Sequence, residues 1–259
     1  MYRDDVTLRV EDGVATLSLN RVSRHNALTT DMLRTIDRAL EEIEHSPSVR
    51  VLLVRSTSPR FFCSGADINE WGELDPEHMG SRWIRTGNRV FRRLAELDIP
   101  TVAVLSASAL GGGLELALAC DLRYAATTAT LGFPEAAVGA IPGWMGCKRL
   151  NDLIGPTRSR ELVLLGQAID AERAEQWGLV NAAATPEALD DLVRQVCDTL
   201  KTRSPMSHSI GKRLLRIAEG DDTSLSHEFA ASVCKATADA VEGVRAFREK
   251  RPAQFNDRR

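Results

Sequence analysis

A chain of 259 residues, 43% hydrophobic and 27% charged, has the composition of an ordinary globular protein and enough length for a sizeable core. Its formal net charge of −3 offers no electrostatic ground for nucleic acid as the main partner. Cys63, Cys120, Cys147, Cys197 and Cys234 never fall at CxxC spacing and the histidines form no HxxxH pair, which argues against a disulfide framework and a metal site.

The stretch Met1-Tyr2-Arg3-Asp4-Asp5 lacks the apolar run of a secretion signal, and no uncharged segment reaches bilayer length. A cytoplasmic compartment and no membrane partner are expected. Residues 6–10 and 14–19 alternate apolar and polar side chains around Asp12-Gly13, the pattern of a β-hairpin. Thr29 and Thr30 read as helix caps, Asp31 suits a first turn, and Leu33, Ile36, Leu40 and Ile43 share one face. Pro47 ends that helix. Val51-Leu52-Leu53-Val54 is a buried strand, followed by a loop through Phe61 to Asp67 and a polar surface excursion from Gly72 to Gly80. The spacing predicts a helix over 83–97 with Val90, Phe91, Leu94 and Leu97 inward, then a strand over 101–105. Gly111-Gly112-Gly113 opens another helix, and 122–126 and 130–132 are short strands. From Met145 the pattern is almost wholly helical, punctuated by Gly155-Pro156, Gly166, Gly178 and Ser204-Pro205. The tail from Arg245 to Arg259 is locally basic, as solvated surface commonly is. Strands alternating with helices, then helices alone, predict an α/β body over 1–203 and a helical region over 204–259.

Two glutamates stand out because their neighbours read as buried. Glu115 lies one turn into the glycine-opened helix, in a segment apolar almost all round until Asp121. Glu135 follows Pro134, which fixes the local backbone. A carboxyl removed from water has its pKa raised unless a partner compensates, so the pair suggests a site that moves protons. The plainer alternatives are a solvent-facing Glu115 and a helix-starting Glu135. Ser64-Gly65-Ala66-Asp67 is either an ordinary tight turn or a place where a ligand approaches the Ala66 amide. The glycine run matches neither GxGxxG nor GxxxxGK[ST], which excludes a nucleotide-phosphate loop and leaves a cradle for a developing oxyanion.

Ser64-Gly65-Ala66-Asp67, Ala109-Leu110-Gly111-Gly112-Gly113-Leu114-Glu115 and Pro134-Glu135-Ala136-Ala137-Val138-Gly139-Ala140-Ile141-Pro142-Gly143, in this order and spacing, resemble the crotonase (enoyl-CoA hydratase/isomerase) superfamily. Asn26-Ala27-Leu28 and Gly178-Leu179-Val180 extend the likeness, which runs from the opening hairpin to Arg251. The resemblance implies a crotonase-like spiral of ββα units with a helical C-terminal trimerisation region, assembled as a homotrimer or a homohexamer. It implies an acyl-CoA thioester as substrate, with its oxygen between the amides of Ala66 and Gly112. Coenzyme A is then part of the substrate, and no further cofactor is expected. Glu115 and Glu135 would be the catalytic pair of a hydratase, a carbon–oxygen lyase. Substrate contacts are implied for Arg24, Ala27, Ser64, Gly65, Asp67 and Ile68. Further contacts are implied for Gly111, Pro134, Gly143 and Trp144, and for Phe247 and Lys250 toward a neighbouring subunit's ligand. Three features depart from the family pattern: Val22, Ser106-Ala107, and Trp144-Met145 where small residues are usual. A bulky indole beside Glu135 predicts a shortened or reshaped acyl pocket. Isomerisation, decarboxylation and C–C cleavage through the same enolate are the competing enzyme readings, and an RNA-binding relative is a third.

Overall fold

The computed structural model describes residues 5–219 and 224–255, with backbone alone at 224–226, 228 and 229. Arg258 and Arg259 of the basic tail, and the first four residues, lie outside the described residues. The hairpin forms as expected: β1 (Val6–Glu11) and β2 (Val14–Leu19) pair antiparallel across Asp12 and Gly13, both at positive φ. β2 continues into a six-stranded sheet ordered β1-β2-β3-β5-β7-β10, where β3 is Val51–Ser56, β5 Thr101–Leu105, β7 Leu122–Ala126 and β10 Ala182–Ala184. A second sheet of four runs β4-β6-β8-β9, made of Phe61–Cys63, Ser108–Leu110, Thr130–Gly132 and Ala168–Asp170.

The pairs β3/β4, β5/β6 and β7/β8 each give one strand to the large sheet and the next to the small one. That alternation is the spiral of ββα units. Four of these strands were not anticipated from sequence: β4, inside what read as a loop, β6, in the unassigned stretch before Gly111, and β9 and β10, inside a stretch that read as helix. Each is three residues long, which gives a period-2 pattern little room to register.

The helices are α1 (Thr30–Glu44), α2 (Ile68–Trp71), α3 (Pro76–His78), α4 (Arg85–Glu96), α5 (Gly112–Leu118) and α6 (Gly146–Leu165). They continue as α7 (Ala171–Trp177), α8 (Pro186–Lys201), α9 (Pro205–Ala218), α10 (Ser224–Lys235) and α11 (Ala238–Glu249). Thr29 caps α1 by accepting the Met32 N–H, and Leu33, Ile36, Leu40 and Ile43 face the core. Gly155, at φ 76°, is non-helical and divides α6 into two helical segments across a kink, the punctuation expected at Gly155-Pro156. Ser204 caps α9, which stays pinned to the body: Lys212 Nζ donates to Asp121 at 2.6 Å and Ser209 Oγ to Asp98 at 2.8 Å. Toward the C-terminus Arg245 and Arg251 both pair with Glu242, and Arg251 also pairs with Glu249.

The stretch from Gly72 to Gly80 is more than a surface excursion. It carries α3 and enters a π-helical turn, Met79–Ile84, that leads into α4. π-Turns inside α-helices are frequent at functional sites. Among the described residues no helix is long and apolar enough to cross a membrane.

Candidate active site

β4, β6 and β8 are consecutive neighbours in the small sheet and run parallel, so the segments leaving their C-terminal ends emerge side by side. After β4 comes Ser64-Gly65-Ala66, after β6 comes Gly111-Gly112, and after β8 comes Pro134-Glu135. This is why motifs separated by dozens of residues meet. Ligand sites in parallel sheets open at that end for the same reason.

The Ala66 amide is aimed by its neighbours. Leu28 N–H donates to Gly65 O and Asp67 N–H donates to Leu28 O, both at 2.8 Å, forming a one-residue parallel bridge between Leu28 and Ala66. In such a bridge the middle residue's own N–H points away from its partner strand. Buried Asn26 ties the segment before Leu28 to the strands beside it by donating from Nδ2 to Ser56 Oγ at 2.7 Å and to Phe62 O at 3.0 Å. The Gly112 amide lies close by: a Cβ placed on Gly112 would sit 3.3 Å from Ala66 N. Neither N–H has a hydrogen-bond acceptor among the described residues. Two unpaired donors therefore face one cavity.

The glycines are spatial requirements. Gly111 adopts φ 51°, and a Cβ there would come within 2.9 Å of Glu135 Oε1. A Cβ on Gly112 would strike the Trp144 ring at 2.6 Å, and one on Gly113 would overlap Cys63 O at 2.3 Å.

Glu115 is 2% exposed, so the solvent-facing alternative is excluded. Its Oε1 accepts two main-chain hydrogen bonds, from Trp144 N at 2.6 Å and Gly146 N at 2.8 Å. Met145 between them is left-handed, at φ 68°, and alternate amides around such a residue form an anion-binding concavity. Arg149 braces the turn by donating from Nη1 to Trp144 O at 3.0 Å and from Nη2 to Phe91 O at 3.3 Å. Burial pushes the Glu115 carboxyl up to about 7; the two amides oppose that rise and the nearby Glu135 adds to it. Glu135 is partly buried, its Oε2 has no hydrogen-bond partner, and burial lifts its pKa to about 7 as well.

Both carboxyls line a cavity of about 380 Å³ together with Ala66 and Gly112. Of the other expected contacts, Ala27, Ser64, Gly65 and Ile68 also line it. So do Gly111, Pro134, Gly143 and Trp144. Four do not. Arg24 is exposed on a 3-10 turn, and Phe247 and Lys250 lie on and just beyond α11. Asp67 is occupied structurally: it accepts from Arg21 Nη1 at 2.6 Å and from Asn69 N at 3.0 Å, capping α2. Burial works against the Asp67 anion, but these donors outweigh it and hold its pKa below the usual value.

Sequence reasoning missed Trp71, Met79, Trp83 and Ile84, which form one wall. Four large apolar side chains within an otherwise polar stretch were the signal available. Trp144 lines the pocket from a buried position. It is 1% exposed and packs against Trp83 and Phe91, with ring centroids 5.4 and 5.3 Å away. The indole fits because Gly87 and Gly112 lack side chains. Gly87→Ala would place a Cβ 2.2 Å from the indole nitrogen, and such overpacking costs about 1–3 kcal/mol. A lowered urea midpoint checks this; an unchanged midpoint would show that the ring is free to move.

Comparison with known proteins follows the same lines. The sequence family described as enoyl-CoA hydratase/isomerase matches residues 9–258. A short-chain-enoyl-CoA hydratase of Clostridium acetobutylicum is 34% identical over 254 residues, 97% of each chain. A methylglutaconyl-CoA hydratase of Mus musculus is 32% identical over 252 residues, 94% of this chain and 79% of the relative. Among solved structures, the enoyl-CoA hydratase of Bacillus anthracis superposes with a TM-score of 0.91 at 28% identity, covering 97% of this chain and 98% of the other.

Proposed function

The chain belongs to the enoyl-CoA hydratase/isomerase family, and on that premise we propose that it adds water reversibly across the 2,3-double bond of a 2-enoyl-CoA thioester. The observation that carries this is the convergence of two raised-pKa carboxyls and two unpaired amides on one cavity.

The thioester oxygen accepts from the Ala66 and Gly112 amides, where negative charge grows as C3 is attacked. Preorganised donors at that position are worth about 3–4 kcal/mol each. The hydrogen bonds divide the labour between the acids. Glu115 has two N–H donors supporting its anion, whereas Glu135 Oε2 has no partner, so the shared proton resides on Glu135. Glu115 takes a proton from the attacking water as its oxygen bonds to C3. The C2=C3 electrons move onto the thioester oxygen, the enolate collapses by taking the Glu135 proton at C2, and passage of the Glu115 proton to Glu135 through solvent restores the starting pair. One water is added with no net electron transfer, so the step calls for no redox group. Coenzyme A enters as part of the substrate.

The test is direct. Crotonyl-CoA should lose its conjugated enoyl-thioester absorbance and yield a product one water heavier; an unaltered spectrum would sink the assignment. The pH dependence follows from the dyad, which works with one proton shared between two groups that titrate together near 7. kcat/KM is expected to be bell-shaped about that value, falling in acid when both are protonated and in base when both are ionised. A profile flat from pH 5 to 9 would rule the dyad out.

We further propose assembly as a trimer or a dimer of trimers. Phe247 is 85% exposed on α11 near Val241 at 61% and Val244 at 42%, an apolar face of the sort that marks interaction surfaces. Sedimentation at micromolar concentration checks it, a monomer being the contrary result.

A further inference from the structure

The hydration reading leaves open which acyl group the cavity takes, and the relatives do not decide it, since short-chain and methylglutaconyl substrates appear in names at nearly equal identity. Resting on that reading, we propose that the site selects thioesters whose acyl group is uncharged and apolar, and rejects those bearing a carboxylate at the far end.

The geometry supporting this is a wall that the catalytic groups do not need. Met79, Trp83 and Ile84 come from the π-helical turn, in which residues four and five apart flank one another, so all three share a face. Trp71 joins them from the end of α2, and Val138 and Ile141 approach from the segment after Glu135. Three of the chain's four tryptophans thus border the cavity. The wall is held firmly: Ile84 packs so closely on Gly143 that a Cβ there would lie 2.5 Å from Ile84 Cδ1, and Trp83 leans on buried Trp144.

Charge decides the rest. Among the described residues no lysine, arginine or histidine lines the cavity, and its ionisable groups are Glu115 and Glu135. Arg82 and Arg85, which bracket Trp83 and Ile84 in sequence, are exposed and lie outside the lining. Arg149, behind Glu115, is committed to two carbonyl oxygens. A carboxylate on the acyl chain would leave water without gaining a partner. It would also meet the Glu115 anion, a charge of its own sign. A neutral chain loses nothing polar on the same surface and gains by leaving water.

Saturated thioesters test the acyl preference without any reaction. Pentanoyl-CoA and glutaryl-CoA differ by a terminal methyl against a carboxylate, and their affinities for the full-length protein are read by calorimetry. Pentanoyl-CoA is expected to bind tighter by on the order of 10²-fold, the scale of an unpartnered charge. Equal or reversed affinities would overturn the proposal. Met79→Arg, at a partly buried position of the wall, should bring the two ligands within about tenfold of each other; a ratio unmoved by that cation in a folded variant would also overturn it. Crotonyl-CoA left unhydrated by a protein that still prefers pentanoyl-CoA would defeat the hydratase reading while upholding the acyl preference.

Discussion

Replacing either Glu115 or Glu135 with glutamine is expected to lower the rate of 2-enoyl-CoA hydration by ~10²–10⁴-fold, the range for losing a positioned general acid or base. Acyl-CoA affinity should stay within a few-fold. The separation follows from what each substitution preserves. Glutamine has the shape of glutamate, and its side-chain oxygen still accepts the Trp144 and Gly146 amides at position 115. The Ala66 and Gly112 donors are untouched, so the thioester is still held. What disappears is the ability to take or give a proton. Groups that act as a unit are strongly non-additive, so the double variant should be scarcely slower than the worse single one. Steady-state rates beside equilibrium binding of a saturated thioester measure both quantities. A Glu135→Gln enzyme with more than a tenth of full activity would break the two-acid mechanism and favour a one-base reaction such as double-bond isomerisation.

The parts of this site that were legible in the sequence are those where backbone and chemistry collide within a few residues. Three glycines before an apolar helix and a glutamate inside it are locally improbable, and only close approach at Gly111 and Gly112 explains them. What stayed hidden depends on pairing at a distance. β4 and β6 are three residues each, yet their adjacency is what brings Ala66 beside Gly112. The Leu28–Ala66 bridge joins segments nearly forty residues apart through main-chain atoms alone, which no side-chain pattern records. The partner of Asp67 was hidden for a related reason. Asp67 ends the Ser64-Gly65-Ala66-Asp67 turn whose first three residues line the cavity, but Arg21, unremarkable in its own surroundings, captures its carboxylate from 46 positions upstream. Trp144 shows the converse. Its bulk suggested a shortened or reshaped pocket, and it does line the cavity, but its backbone N–H also serves Glu115 and its ring fills a space left by two glycines in other elements.

Glu135→Gln should also stabilise the fold, and only on the alkaline side. Burial raises the folded-state pKa of Glu135 from 4.5 to about 7, so between those values the native protein keeps a proton that the unfolded chain has released. The native state then binds more protons than the unfolded state, and stability falls as pH rises through that window. At about 1.36 kcal/mol for each tenfold change in proton affinity, the penalty above pH 7 approaches roughly 3 kcal/mol. Glutamine never ionises and escapes it. It also removes the neighbouring charge that helps hold Glu115 up. The variant is therefore expected to gain up to about 3 kcal/mol over the parent at pH 8 and almost nothing at pH 4.5, measured from urea unfolding at both values. A gain of equal size at the two pH values would point to better packing instead of a relieved charge. A loss at pH 8 would mean that the anion is supported by contacts the fold does not show. Because the same burial that makes Glu135 an acid near neutrality also makes its ionised form costly to fold around, the gain in stability and the loss of turnover should appear together in one protein.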